Sequence, residues 1–253
     1  MELGLRDRTI VVAGSTGGIG GALVDQLVHE GSRLLLVGGR AERLDDLTDR
    51  LPPELLVQAI PGDFRDERGR ARCSDALLHA TGIDGFVFLP AELRTDAVGD
   101  ARASEFRETF DVNFFAAFEL SQAALKNARP GASFVFVSSI DAHRHPRHPA
   151  SASYDSSKRA LESLSESIAV ESGPRSVRSN SIVPGLIRTP MTEDYFGPQF
   201  EEERVHFLQS VPLARAGTPG EVANVVMFLL SPVSGYVTGA SIIVDGGFLR
   251  QGL

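Results

Sequence analysis

The stretch TIVVAGSTGGIGGALVDQLVHEG, residues 9–31, joins two different periodicities through a cluster of glycines. Residues 9–14 are a run of β-branched and small apolar side chains, the composition of a strand covered on both faces. After the glycines, Ile19, Leu23 and Leu27 recur at helical spacing, and Gly31 suits a helix end. Between the two, Gly14, Gly17, Gly18 and Gly20 permit positive φ and let a ligand approach the backbone. A helix starting there directs free N–H groups and partial positive charge at whatever lies in front of it, which favours a pyrophosphate. The spacing is G-x-x-x-G-x-G, and no Gly-Lys-Ser/Thr follows, which argues against a nucleoside-triphosphate loop.

The same alternation continues outward from this junction. Apolar runs at 33–39, 55–62, 85–91, 133–139, 178–185 and 241–247 predict further strands, about seven with the first. They are near-continuous in Val, Ile, Leu and Phe, as strands buried on both faces are. Amphipathic segments lie between them; one carries Leu44, Leu47 and Leu51 before Pro52 stops it. This order predicts an α/β fold, a Rossmann-type doubly wound parallel sheet with helices on both faces, as a single domain over 1–253. Ligands of such sheets bind beyond the carboxyl ends of the strands, so the residues ending each run carry the interest.

Composition removes several functions. The chain has 253 residues and a net charge of −8 without a basic stripe, a poor match for nucleic acid. Cys73 is the only cysteine, so no internal disulfide can form, which suits a reducing compartment. The N-terminal residues show no secretory pattern, and the run VVMFLL is far too short to span a bilayer. The expectation is a cytoplasmic protein with neither membrane nor nucleic-acid partner.

Two further places suggest chemistry. Arg40 ends the second strand twenty residues after Gly20, where an NAD site usually has an acidic residue on the ribose 2′-hydroxyl. A guanidinium there suits the 2′-phosphate of NADP(H), with Arg43 in reach to assist; the opposing reading is a surface arginine opening the next helix. In SASYDSSKRAL (151–161), Tyr154 and Lys158 lie four apart in a helical pattern, hence on one face about 5–6 Å apart. A cation beside a phenol can tune an acid/base group; the plain alternative is a surface helix.

Together these pieces resemble the classical short-chain dehydrogenases/reductases, from about residue 5 to 247. The likeness rests on Gly14-x-x-x-Gly18-x-Gly20, Asn113 in FDVNFF, the serines of FVFVSS, Tyr154-x-x-x-Lys158, SIVPGLIRTPM, PLARAGTPGEVANVVMFLLS and VTGASIIVDGG. The resemblance implies a catalytic set of Asn113, Ser139, Tyr154 and Lys158. In it Tyr154 is the acid/base, Lys158 bonds the nicotinamide ribose and lowers the proton affinity of Tyr154, Ser139 bonds the substrate carbonyl, and Asn113 orders a relay water. It implies further cofactor contacts from Gly14, Ser15, Thr16, Gly18, Ile19 and Gly20, from Asp63 and Phe64 at the adenine, from Pro90, and from Pro184, Gly185, Ile187 and Thr189 near the nicotinamide. The implied activity is an NADP(H)-dependent carbonyl reductase, in reverse an alcohol dehydrogenase, acting on a ketone or a thioester-linked 3-oxoacyl group. No metal is expected. The resemblance also implies a homotetramer or homodimer packed through helices around 103–127 and 154–172 and through the C-terminal strand.

Several places depart from the family pattern. Phe88-Leu89-Pro90-Ala91 replaces the usual Asn-Asn-Ala-Gly, and Pro90, lacking an N–H, should fall just beyond the ladder. That change favours a second reading, a dinucleotide-binding sensor or scaffold without turnover, whereas the four retained catalytic types favour the enzyme. An epimerase or dehydratase of the extended branch fits the glycine spacing less well. The loop after Ser139 is about two residues longer than is common and holds His143, His145 and His148, whose spacing fits no clean metal site; Arg144, Arg147 or a histidine there could instead meet an anionic substrate group. Gly17 stands where a second basic residue is frequent. Residues 190–212 read as a mobile helical lid, with Tyr195, Phe196, Phe200 and Phe207 as pocket walls or as core.

Overall fold

In the computed structural model, which describes residues 2–145 and 150–250, seven parallel strands form one sheet in the order β3-β2-β1-β4-β5-β6-β7. The strands are β1 (Thr9–Ala13), β2 (Arg33–Gly38), β3 (Leu56–Pro61), β4 (Ile83–Phe88), β5 (Ala128–Val137), β6 (Arg178–Pro184) and β7 (Ser241–Val244). The helices are α1 (Gly18–His29), α2 (Ala41–Thr48), α3 (Glu67–His79), α4 (Ala103–Phe110), α5 (Ala116–Lys126), α6 (Ala152–Ser172), α7 (Glu201–Gln209) and α8 (Pro219–Leu230). Every predicted strand is present. β4 ends sooner than the apolar run suggests: Leu89 N–H makes the last contact, to Ala13 O at 3.0 Å, and Pro90 follows with no donor. β7 stops at Val244, before Gly246 and Gly247 take positive φ.

Strand alternation divides the side chains into two cores. Val11, Leu35, Phe86, Phe134 and Phe136 point to one face, where α3, α5 and α6 supply Leu77, Leu120 and Leu161. Ile10, Val12, Leu34, Val87 and Val135 point to the other, where α1 and α8 supply Leu23, Leu27, Val222 and Val226. Burying each such side chain stabilises the fold by about 1.5–3 kcal/mol. Cys73 lies in the first core, and burial pushes its thiol up to about 11, ahead of the opposing charge of Arg72. The chain order reverses between β1 and β4, which are paired with Val11 beside Phe86. A crevice therefore opens at their carboxyl ends.

Candidate active site

At the crevice floor, Gly14 leaves β1 with φ +84° and donates its N–H to Val37 O at 2.8 Å. A Cβ on Gly20 would overlap the Gly14 carbonyl oxygen, so the turn can close only with glycine there. Gly17 caps α1 without any side-chain hydrogen bond, and the first turn holds no acidic residue. The first intrahelical bond runs from Gly21 N–H to Gly17 O at 2.8 Å. The N–H groups of Gly18, Ile19 and Gly20 thus precede any helical acceptor and are free to donate outward.

On the opposite side, α6 brings Tyr154 and Lys158 to the end of β5. Lys158 is buried; its Nζ donates to Val137 O at 2.8 Å and to Pro90 O at 3.5 Å, and lies 5.7 Å from the centre of the Tyr154 ring. Burial pushes its ammonium down to about 7, while the two carbonyls favour the charged form. Tyr154 is raised above the usual phenol range, first by burial and then by the Asp141 carboxylate, with the Ser139 hydroxyl opposing. In the protein itself burial therefore dominates the phenol, whereas the resemblance assigns Lys158 a lowering effect. Ser139 lies two residues beyond β5 and caps a single turn at Ile140–Ala142.

Asn113 lies in a π-helical turn, Asp111–Phe115, that links α4 to α5. Such turns shift the side-chain phase and recur at functional sites. Its side chain is a backbone clamp: Glu92 N–H donates to Oδ1 at 2.7 Å, while Nδ2 donates to Glu92 O at 3.1 Å and to Ser157 Oγ at 2.9 Å. This fixes the segment that departs from the family. Phe88 is buried in the core against Phe64, and Pro90 O is an acceptor for Lys158. Glu92 would be raised by burial, but Arg65, at 2.7 Å, and Arg94, at 3.0 Å, hold it below the ordinary carboxylate range.

These elements enclose a cleft of about 550 Å³. Gly14, Thr16, Gly18, Ile19 and Gly20 line it from the first turn, and Arg40, Asp63, Phe64 and Pro90 from the next strand ends. Ser139, Tyr154 and Lys158 line it from β5 and α6, and Pro184, Gly185, Ile187 and Thr189 from beyond β6. Of the residues singled out in the sequence, Ser15 and Asn113 are not on the wall: both are buried, Ser15 with its hydroxyl on Val37 O. Arg40 is exposed at the start of α2 and makes no ion pair among the described residues; Arg43 is beside it on the wall.

The segment after Thr189 contains α7, but Tyr195, Phe196, Phe200 and Phe207 are not among the residues that line the cleft. Tyr195 packs at a tilt against Phe200 with ring centres 5.7 Å apart, Phe196 lies under the guanidinium of Arg188, and Phe207 contacts Phe248 at 4.8 Å. Pro190, Met191 and Thr192 are the residues of this segment that reach the wall. Two histidines of the long loop have structural partners: His143 Nε2 is 3.0 Å from Glu162, and His145 Nδ1 is 2.9 Å from Asp155, both carboxylates being buried on α6. Arg144 lies over the Phe248 ring. Arg147 and His148 lie outside the described residues. Among the described residues no three His, Cys, Asp or Glu side chains converge as a metal site. Spacing alone could not signal the partners Glu162 and Asp155, because their burial arises only when the loop folds back on α6. No helix of the described residues is long and apolar enough to cross a membrane.

Residues 13–249 match the family model described as enoyl-(acyl carrier protein) reductase. An NADP-dependent (R)-specific alcohol dehydrogenase of Lentilactobacillus kefiri is 29% identical over 98% of both chains. A short-chain type dehydrogenase/reductase of Sinorhizobium fredii is 32% identical, covering 97% of this chain and 98% of that one. A 3-oxoacyl-[acyl-carrier-protein] reductase of Rickettsia felis is 30% identical over 97% and 98%. A crystal structure of a short-chain dehydrogenase/reductase from Brucella melitensis superposes with a TM-score of 0.88 at 29% identity, over 98% of this chain and 99% of the other. By the family model and by a relative 32% identical over nearly its whole length, the chain with this sheet order and cleft belongs to the short-chain dehydrogenase/reductase family of oxidoreductases.

Proposed function

We propose that the protein is an NADP(H)-dependent carbonyl reductase, reversibly an alcohol dehydrogenase, for a ketone or a 3-oxoacyl group free or thioester-linked. The observation that carries this reading is the meeting, on one cleft, of the uncapped α1 terminus and Arg40 with Ser139, Tyr154 and Lys158. The residues fit a dinucleotide. Unpaired α1 N–H groups and the glycine-only turn suit its pyrophosphate, and Arg40, with Thr16 and Arg43, suits a 2′-phosphate. Asp63 and Phe64 would flank the adenine; Pro184, Gly185, Ile187 and Thr189 would hold the nicotinamide end. The relatives named above as an NADP-dependent alcohol dehydrogenase and a 3-oxoacyl reductase support both the cofactor and the substrate class.

When bound, the nicotinamide supplies a hydride. The protein supplies the proton and the field. Tyr154, kept protonated at neutral pH by its burial, gives its hydroxyl proton to the substrate oxygen. Ser139 donates to the same oxygen as negative charge grows there. Lys158, fixed by Val137 O and Pro90 O, holds the ribose and places positive charge behind the phenol. Asn113 acts through the Glu92 backbone and Ser157, keeping the β4 end and α6 in register. The altered Phe88–Ala91 segment leaves this arrangement intact, which favours turnover over the sensor reading.

Two variants test this. Tyr154→Phe should reduce carbonyl turnover by roughly 10²–10⁴-fold while NADPH binding persists. A wild-type protein that binds NADPH yet reduces neither ketones nor 3-oxoacyl thioesters would instead establish the sensor. Arg40→Asp should weaken NADPH relative to NADH by at least about tenfold, read by fluorescence titration with each cofactor. We further propose a cytoplasmic homotetramer or homodimer packed through α4–α6. Phe115 and Phe118 are exposed there on α5 and the turn before it, at 45% and 42%, and Val170 on α6 at 80%. A monomer by light scattering would remove that proposal.

A further inference from the structure

Ser139 has one hydroxyl proton to give. In this structure it is directed at Asp141: Oγ lies 3.2 Å from Asp141 Oδ2, and the same Oγ accepts the N–H of Asp141 at 3.2 Å. Asp141 follows Ser139 by two residues, and no motif of the family resemblance includes it. Its carboxyl is hydrogen-bonded to Ser139 just beyond β5; the charges of His145 from the same loop and Asp155 from α6 act on it, and it acts in turn on Tyr154, whose ring also has Lys158 Nζ at 5.7 Å. Asp155 is already engaged: Ser151 Oγ donates to it at 2.7 Å, and His145 lies at 2.9 Å. Among the described residues the second carboxylate oxygen of Asp141 accepts no hydrogen bond.

The electrostatics point in one direction. Burial pushes the Asp141 carboxyl up to about 6, and the Asp155 charge adds to that, while Ser139 and His145 oppose it. At neutral pH Asp141 is therefore mostly ionised. Its charge raises the proton affinity of Tyr154 in the same sense as burial does. The Asp141 N–H fixes the Ser139 oxygen, the carboxylate holds the hydroxyl proton until the substrate oxygen replaces it as acceptor, and its charge makes phenolate harder to form.

Building on the reductase reading, we propose that Asp141 is a positioning residue for the reaction. It holds the Ser139 hydroxyl and keeps Tyr154 in its proton-donating form, so that reduction extends to higher pH and oxidation requires a more alkaline medium. The sign is fixed. Removing the negative charge lowers the proton affinity of Tyr154, so the phenolate that accepts a proton during alcohol oxidation appears at lower pH.

The test is the pH profile of kcat/KM, with ethyl acetoacetate and NADPH in one direction and ethyl hydroxybutyrate and NADP in the other. Asp141→Asn keeps an acceptor for Ser139 and removes the charge. It should move the acidic limb of oxidation down by roughly half to one pH unit. Asp141→Glu, which restores the charge, should return the limb to its wild-type position. A merely structural role would change kcat or stability in both variants without moving the limb. NADPH binding reports that each variant is folded; should Asp141→Asn fail that check, Asp141→Ser removes the same charge and is judged by the same limb. Coincident limbs in the wild type and the neutral variant, or a glutamate variant that shifts with the asparagine one, would overturn the assignment. Failure of the wild type to turn over either substrate would instead remove the reductase reading on which it stands.

Discussion

α1 and α8 are nearly twins. Each spans twelve residues, they pack on one another over the same face of the sheet, and Gln26 of α1 hydrogen-bonds Asn224 of α8 at 2.9 Å. Their N-termini are built in opposite ways. α8 begins with a complete capping box: Thr218 Oγ1 accepts Glu221 N–H at 3.3 Å, Glu221 Oε2 accepts Thr218 N–H at 2.8 Å, and Pro219 fills the first position. Arg215 adds two hydrogen bonds to Glu221, at 2.6 and 3.0 Å. α1 begins with Gly17 and has neither a capping side chain nor an acid in its first turn. Replacing Gly17 by Ser or Thr would contribute a few tenths of a kcal/mol to the helix, and by Asp roughly 0.3–1 kcal/mol more through the helix dipole. The absence of such a cap at the crevice, beside a helix capped in full, is what the proposed pyrophosphate site at α1 requires.

The largest effect should come from closing that terminus. Gly17 has φ −81°, open to any residue, and a Cβ there would approach Gly14 O only to 3.3 Å. Gly17→Asp therefore supplies the missing cap and places a carboxylate where the pyrophosphate would bind. NADPH affinity should fall by about 10²-fold or more, through like-charge repulsion and lost N–H donors. The melting temperature of the free protein should rise, by about 2–4 °C for ~1 kcal/mol in a domain of this size. Affinity measured by titration and stability measured by calorimetry would then move in opposite directions. An unchanged affinity would mean that the anion is not held at α1.

This asymmetry is local in the sequence on both sides, since Thr218 and Glu221 have the T-x-x-E spacing of a capping box. The glycines after TIVVA announce the uncapped terminus, and the apolar runs place all the strands, because covered strands must be apolar on both faces. Tyr154 and Lys158 were legible because helical spacing is local. What escaped the sequence depends on long-range approach. Asn113 works on the Glu92 backbone twenty-one residues away, and Glu162 gathers Ser138, His143 and Ser241 from three separate segments. The lid aromatics were ambiguous for the same reason, since a phenylalanine gives no sign of which of two apolar surroundings it will enter. Asp141 was hidden differently: it lies two residues from Ser139 in sequence, but its effect comes from burial and from the Asp155 charge on α6.

The smallest effect should come from opening the other helix. Thr218→Ala removes the hydroxyl that accepts Glu221 N–H, and the loss should be about 1 kcal/mol, or about 2–4 °C in melting temperature. The rest of the cap survives, because Arg215 and the Thr218 N–H still hold Glu221, whose carboxyl they keep down at about 2. Since that folded value is below the ordinary carboxylate range, the stability Glu221 contributes is complete above that range and is lost as the pH falls toward 2. Calorimetry at neutral pH therefore isolates the threonine. NADPH affinity and carbonyl turnover should be unchanged within error, since no capping atom of α8 lines the cleft. If Thr218→Ala also weakened NADPH binding, the two helix ends would be coupled, with the Gln26–Asn224 contact as the path between them. The freedom of the α1 terminus would then depend on the closure of the α8 terminus, rather than on Gly17 alone.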